Sequence, residues 1–313
     1  MRPDHRFGEC IKRSAPGGVY NVTMNLIALK HNVFVDRLRL CGDLARIGLS
    51  GRKPLVLVHA MPKTGGTTAA YSLKASVSNP VFHVHTWDPE AAVGAISRFA
   101  KKRGGAPYSF RQGQMLRRMM ETKAKEDWKI ITLVREPVVR MVSLFFQTGK
   151  AMNDQFVDGA GKYKANDVVR HLYNRISGAA NRNPSREEEW FYREICQPVG
   201  IDVFEHDFDC ESGYMTVQRD RFGLLVLRLE DMNERFSEAT TAFLDLPTPV
   251  TLERKNAAAE KSYKSAYREV CAQLRFPRET LRRLYSTQFV QHFYSSDMIN
   301  QFISKWACEG SWR

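Results

Sequence analysis

Pro54-Leu-Val-Leu-Val-His-Ala-Met-Pro-Lys-Thr-Gly-Gly-Thr-Thr68, continuing as Ala-Ala-Tyr-Ser-Leu-Lys-Ala-Ser76, is the stretch around which the chain is organised. Leu55 to Val58 is a short apolar run of the kind that fills a parallel strand buried on both faces. Gly65 and Gly66 then let backbone amides approach a ligand with no side chain in the way, and Thr67 or Thr68 is expected to cap the helix that follows. Strand, glycine turn and helix N-terminus together make an anion cradle, because unpaired N–H groups and the positive end of the helix dipole face the same point. Lys63 adds a mobile cation. The nucleoside-triphosphatase P-loop needs its Lys directly after the last Gly and before Ser/Thr, whereas Lys63 precedes both glycines, so that motif is not met. A glycine-bearing turn also occurs where no ligand binds, and a second element is required.

That element lies at residues 129–147. Lys129-Ile-Ile-Thr-Leu-Val134 reads as another buried strand, and Arg135-Glu136-Pro137 as the turn into a helix. On that helix Val138, Met141, Val142 and Phe145 fall at the spacing of a core-facing stripe, while Arg140 and Ser143 share a different face. With Arg135 at the strand end, two guanidinium groups and a hydroxyl stand where a phosphate could sit. A solvated arginine on an ordinary amphipathic helix would account for either residue taken alone.

In combination the two stretches resemble a known family. Pro62-Lys63-Thr64-Gly65-Gly66-Thr67-Thr68 is similar to the 5′-phosphosulfate loop of sulfotransferases that use 3′-phosphoadenosine 5′-phosphosulfate (PAPS). Arg135-x-Pro137-x-x-Arg140-x-x-Ser143-x-Phe145-Phe146 resembles the 3′-phosphate motif of the same enzymes, in the expected order. The resemblance implies a P-loop-like three-layer α/β fold, its central sheet parallel and flanked by helices, as the alternation of strands and helices also suggests. It implies PAPS as donor, no metal, Lys63 with the amides of Thr64, Gly65, Gly66, Thr67 and Thr68 on the 5′-phosphosulfate, and Arg135, Arg140 and Ser143 on the 3′-phosphate. From residue 54 onward the chain also resembles a bacterial family of capsular polysaccharide synthesis proteins related to sulfotransferases. The matching features are the loop at Lys63, Val81-Phe-His-Val-His85, Val134-Arg-Glu-Pro137, Gly200-Ile-Asp-Val203, Asn256 to Lys261, and Phe293-Tyr294. One departure is Gly65-Gly66-Thr67, where many sulfotransferases carry a bulkier residue between the first glycine and the threonine.

Pro80 to His85 reads as a further strand, on which His83 and His85 point to one face. Asp88 as N-cap and Pro89 at the first helical position then open a helix expected to run to about Lys102, before Gly104-Gly105. Ligands of open α/β sheets bind outside the carboxyl ends of the strands, which is where His85 falls. Sulfuryl transfer to an alcohol needs a base for the hydroxyl proton, and neutral imidazole suits that task. A histidine pair hydrogen-bonded beneath the sheet is the plainer reading. The pair is similar to the paired histidines of the heparan 2-O-sulfotransferase group, which implies His85 as base and His83 as its support, with the order of the two left open. Asp88 is a competing base, but capping already accounts for it.

Composition bounds the rest. The 313 residues are 43% hydrophobic and 26% charged, as in an ordinary soluble globular protein, with a formal net charge of +13. No apolar run approaches the roughly 18 residues of a membrane span, and no apolar segment follows the charged N-terminus, so a cytoplasmic location is expected. The six cysteines show no metal-ligand spacing and read as reduced thiols. Residues 98–129 carry ten basic against three acidic side chains. Such a field attracts a nucleotide, an acidic glycan, a lipid surface or nucleic acid. With no recognised nucleic-acid module in the sequence, the expected partner is a carbohydrate or glycolipid acceptor rather than a specific nucleic acid, and peripheral membrane contact stays open.

Along the remainder, residues 1–50 read as an N-terminal extension to a single domain spanning 51–313. Tyr108 to Gly113 reads as a loop over the site or a solvated helical face. Ser185 with Glu188 is a capping box before a helix to Cys196, in which Trp190, Phe191 and Ile195 are core residues. Leu224 to Leu229 is a buried strand, Glu230-Asp231 begins a helix, and Arg228 either belongs to that junction or meets a phosphate. Arg254, Asn256, Lys261 and Tyr263 are cofactor candidates within a basic, aromatic segment, and Gln288 to Trp306 is helical core. The expected activity is transfer of the PAPS sulfuryl group to a carbohydrate hydroxyl. The alternatives are a nucleotide or small-molecule kinase on the same fold and a non-catalytic polyanion-binding protein.

Overall fold

The apolar runs read from the sequence pair into a single five-stranded sheet in the order β2-β1-β3-β5-β4, seen in the computed structural model, which describes residues 26–51, 53–90, 108–122, 127–148, 154–253 and 263–308. The strands are β1 (Leu55–His59), β2 (Val81–Val84), β3 (Trp128–Val134), β4 (Tyr214–Arg219) and β5 (Phe222–Arg228). β2, β1, β3 and β5 run parallel. β4 does not. It pairs antiparallel with β5, because the two-residue turn at Asp220-Arg221, with Asp220 in the left-handed region at φ 50°, reverses the chain at once. The expected all-parallel sheet is thus mostly parallel with one reversed edge, and β4 shows the half-polar pattern of a strand with one face near water.

Strand residues alternate between two cores. Val56, Val58, Ile131, Leu133, Leu225 and Leu227 face helices α2 (Gly66–Ser76) and Met232–Phe243, whose Leu73, Phe236 and Ala239 are buried there. Leu55, Leu57, Ile130, Leu224 and Val226 face the larger core, built with helices including Tyr108–Thr122, Pro137–Thr148, Ala165–Ala179 and the C-terminal helices. Helix, sheet and helix form three layers, which explains why β1, β3 and β5 are continuously apolar. The reading of Tyr108 to Gly113 as a loop is corrected, since these residues are the first turns of a helix, and Asp43 of the helix Leu26–Leu49 accepts hydrogen bonds from Tyr108 and from Gln112 at 2.6 Å. No helix among the described residues is long and apolar enough to cross a membrane.

The carboxyl ends of the parallel strands lie along one edge. β1 sits between β2 and β3, so the chain leaves β1 to one side for β2 and crosses to the other side for β3, making a topological switch point between β1 and β3, the place where open α/β sheets bind their ligands. Arg228, at the end of β5, takes no part in it. Its guanidinium is buried and bonded to Asp231, to the Phe293 carbonyl at 3.0 Å and to the Cys210 carbonyl at 2.7 Å, so the possibility that it meets a phosphate is set aside. Arg228→Met keeps the stem but leaves a carboxylate and two carbonyls without donors. A loss of about 3–5 kcal/mol is expected in chemical denaturation, and an unchanged midpoint would show the cluster to be dispensable.

Candidate functional site

The loop after β1 is shaped by its backbone. Thr64 Oγ1 donates to the Met61 carbonyl at 2.8 Å, closing a tight turn, and both Lys63 (φ 75°) and Gly65 (φ 96°) adopt left-handed conformations. Gly65 is required: besides its φ, a Cβ there would lie 2.6 Å from Leu229 Cδ1. The expected caps are corrected, because helix α2 starts one residue earlier than Thr67, with Gly65 at the N-cap and no side-chain cap bond, while Thr67 is exposed in the first turn. The Ala69 amide donates to the Gly65 carbonyl at 3.1 Å, so the amides of Gly66 and Thr67 fall in the first turn of the helix, ahead of that bond.

Arg135, at the end of β3, joins the second predicted motif to the first. Its Nη1 donates to the Lys63 carbonyl at 2.9 Å, across the switch point, and so holds Lys63 in a conformation that non-glycine residues adopt at a cost. The next residue, Glu136, is buried and anchors the helix Pro137–Thr148 by accepting from the Val138 and Val139 amides at 2.8 and 2.7 Å and from the Tyr285 hydroxyl at 2.6 Å. Burial raises its pKa, and those three bonds work against the rise. Ser143 is half-buried on this helix, and Phe146, one turn beyond, stacks with Tyr263 at 5.3 Å. Arg140 is turned elsewhere: it is 7% exposed and ion-paired with Glu187, on the helix face formed with Pro137, Met141 and Leu144. Arg254, Asn256 and Lys261 lie outside the described residues, as does the helix expected to run to Lys102 beyond its start, where Pro89 and Glu90 are helical and the Glu90 amide donates to Asp88 Oδ1 at 3.1 Å, the cap expected there.

The two histidines come together at the other flank of the loop. Their rings are edge-on with centroids 4.7 Å apart. His83 packs on the start of α2, where a Cβ at Gly66 would meet its Nε2 at 2.7 Å. Burial, with neighbouring positive charge from His85, Lys74 and His59, pushes its pKa down to about 3, so it is neutral. His85 follows the last residue of β2 and its Nδ1 lies 2.8 Å from the Ala60 carbonyl. A carbonyl only accepts, so Nδ1 carries the proton and the lone pair of the neutral ring is on Nε2. Burial lowers the pKa of His85, the Ala60 bond opposes this, and the charges of His59 and Lys63 add to the lowering.

Sequence reasoning missed the group beneath these histidines. His59 and Glu194 are 0% and 2% exposed, and His59 Nε2 lies 3.1 Å from Glu194 Oε2, while its Nδ1 faces the Val84 carbonyl at 3.4 Å. The Glu194 carboxylate also accepts from Thr86 Oγ1, from the Trp87 amide at 2.9 Å and from the Asp88 amide at 3.2 Å. Burial opposes its ionisation, but the bonds from His59, Thr86 and Trp87 outweigh this and hold its pKa below the usual carboxylate range. His59 rests between Trp87 and Trp190, at 4.5 and 5.0 Å, and Trp190 Nε1 donates to the His85 carbonyl at 3.2 Å. The ends of β1 and β2 are therefore pinned by a segment 135 residues away. His59 at the end of an apolar strand was a visible signal, but Glu194 had none, since nothing local marks its partner. The Ser185–Glu188 capping box forms as expected, but the helix it opens (Arg186–Phe191) passes into a π-helical turn over Tyr192–Cys196 that aims Glu194 inward. Trp190 is only half-buried and lines an open cleft with Arg140. Among the described residues no group of three or more His, Cys, Asp or Glu side chains is placed to hold a metal ion.

Because the folded pKa of His83 is depressed, protons bind it more readily in the unfolded chain, so its stabilising contribution is complete above about pH 6.5 and is lost as pH falls towards 3. His83→Asn, which cannot charge in this range, is expected to lose about 2 kcal/mol less stability than the wild type between pH 7 and 4.5; parallel pH dependences would show that His83 is already solvated.

No curated protein and no solved structure matches the chain. Residues 164–295, less than half of its length, match the model of a family described as "putative capsular polysaccharide synthesis protein". The matched part holds Arg186 to Cys196, the segment that carries Glu194 and Trp190, while Lys63, both site histidines and Arg135 lie outside it.

Proposed function

We propose that the protein is a sulfotransferase that moves the sulfuryl group of PAPS to a carbohydrate hydroxyl. The observation that carries this reading is the hydrogen bond from Arg135 to the Lys63 carbonyl, which sets the two motifs side by side rather than at remote sites. Lys63 and the amides of residues 64 to 68 would hold the 5′-phosphosulfate, and Arg135 with Ser143 the 3′-phosphate. Arg140, engaged by Glu187, is left out of that set.

In the reaction, His85 Nε2 takes the proton of the acceptor hydroxyl as its oxygen bonds to sulfur. The bond between sulfur and the bridging oxygen of the 5′-phosphate breaks, and Lys63 offsets the charge left on that oxygen, so that 3′-phosphoadenosine 5′-phosphate departs. The low pKa of His85 keeps it in the basic form, and Glu194, through Thr86, Trp87 and Asp88, keeps the strand end in place. A carbohydrate acceptor is supported by the similarity of residues 164–295 to a family described by polysaccharide synthesis. The sulfotransferase fold is consistent with the mostly parallel, three-layer arrangement.

Calorimetry with 3′-phosphoadenosine 5′-phosphate against ADP tests the donor. The 3′-phosphorylated ligand should bind more tightly, and Arg135→Ala or Ser143→Ala should weaken it about 10–100-fold while leaving ADP nearly unchanged; preference for ADP would favour a kinase instead. For the base, His85→Asn should lower kcat by about 10²–10⁴-fold. The acid limb of kcat/KM should fall below about pH 6.5, because burial lowers the His85 pKa. An acid limb at or above that value would assign the base elsewhere.

A further inference from the structure

Two hollows beside the site form one trough. The inner, about 830 Å³, begins at Met61 and Pro62 of the loop and at Trp190, and the outer, about 880 Å³, runs on past Tyr192. They adjoin along Arg182, Glu189, Arg193 and Thr287, which line both. Each alone has the size of a small-molecule pocket, and together they exceed it. Tyr192, 56% exposed, presents an aromatic ring on the outer part.

Charge is distributed unevenly along the trough. Three of the arginines on the inner hollow have carboxylate partners: Arg140 with Glu187, Arg182 with Glu189 at 3.3 Å, and Arg193 with Asp88 and Glu90 at 3.3 Å. Arg175 and Arg186 are exposed there and have no carboxylate partner among the described residues. Partial desolvation of its guanidinium by the cleft walls holds the Arg175 pKa below its ordinary value, and the positive charges of Arg186 and Arg140 add to this. Arg140 Nε is buried with no hydrogen-bond partner. Arg140 is already neutralised by Glu187, so the excess positive charge on this cleft is that of Arg175 and Arg186, which an anion between them would offset. In the outer hollow, by contrast, Arg182, Arg193 and Arg283 are balanced by Glu188, Glu189 and Asp202.

We propose that the trough binds an acidic glycan chain, with an anionic sugar between Arg175 and Arg186 and the following sugars lying over Tyr192. This names the acceptor class for the sulfuryl-transfer reading and rests on it. A planar carboxylate or a sulfate ester suits the paired N–H groups of arginine, and the apolar C–H face of a pyranose suits the tyrosine ring. A nucleic acid fits less well, because its evenly spaced phosphates would meet the carboxylates of the outer hollow. The trough lies mostly within the residues matched by the polysaccharide-synthesis family, which supports a saccharide occupant.

The test is calorimetry on the full chain with four probes of similar length: tetragalacturonate, sulfated maltotetraose, neutral maltotetraose and a tetradeoxythymidylate. Tetragalacturonate or sulfated maltotetraose should bind at least about tenfold more tightly than the neutral sugar, and their ranking identifies carboxylate or sulfate as the anion. Arg175→Gln with Arg186→Gln, at exposed positions where folding should survive, should remove about 10–100-fold of that affinity without changing the binding of 3′-phosphoadenosine 5′-phosphate. Tyr192→Ala should weaken the acidic tetrasaccharide but not monomeric galacturonate. Equal binding of neutral and acidic sugars, equal binding of the oligonucleotide, or an unaffected double variant overturns the proposal. If the glycan pattern holds but 3′-phosphoadenosine 5′-phosphate does not bind, the sulfuryl-transfer reading falls while the trough assignment stands.

Discussion

One hydrogen bond, from the Arg135 guanidinium to the Lys63 carbonyl, connects the ends of β3 and β1 where the sheet's connections diverge. It matters because the loop it holds is strained: Lys63 lies in a left-handed conformation, and Gly65 has a φ that only glycine adopts readily. Such a loop persists only when its surroundings determine it. Arg135 does so from one side, Thr64 from within by closing on Met61, and His83 from the other side by packing on Gly66.

The electrostatics of the site divide along the same line. On the β3 side stands a guanidinium, and on the β2 side two imidazoles that burial keeps neutral. A proton acceptor beside a cationic loop would lose basicity in a more exposed site only slightly, but here burial and the charge of Lys63 act together. The Ala60 carbonyl fixes the His85 tautomer, and the buried His59–Glu194 pair fixes the backbone that carries it. A buried carboxylate with several hydrogen-bond donors is weak evidence for stability but good evidence for a defined position, because those donors leave it a single arrangement.

Helix Pro137–Thr148 separates two surroundings. Arg140 and Leu144 face the cleft that leads outward past Trp190, while Phe146 faces Tyr263. Arg140, read from the sequence as a phosphate ligand, instead finds Glu187, 47 residues on, and becomes part of the cleft. Periodicity cannot foresee this, since it ranks residues by their angle on one helix and carries no information about which other element approaches that angle.

The sequence by itself determined the local features: the strands β1, β3 and β5 from their continuous apolar runs, the glycine turn from the steric needs of its backbone, the start of the helix at Pro137, the Ser185–Glu188 cap and the pairing of His83 with His85. Each depends on residues within one or two turns of each other, where spacing is geometry. Only the tertiary structure decided the burial of Arg228 against the Phe293 and Cys210 carbonyls, the diversion of Arg140 to Glu187 and the pinning of the β1 and β2 ends by Glu194. These depend on contacts between segments distant in the chain, where a charged residue's partner is chosen by how whole layers pack and not by anything in its own neighbourhood.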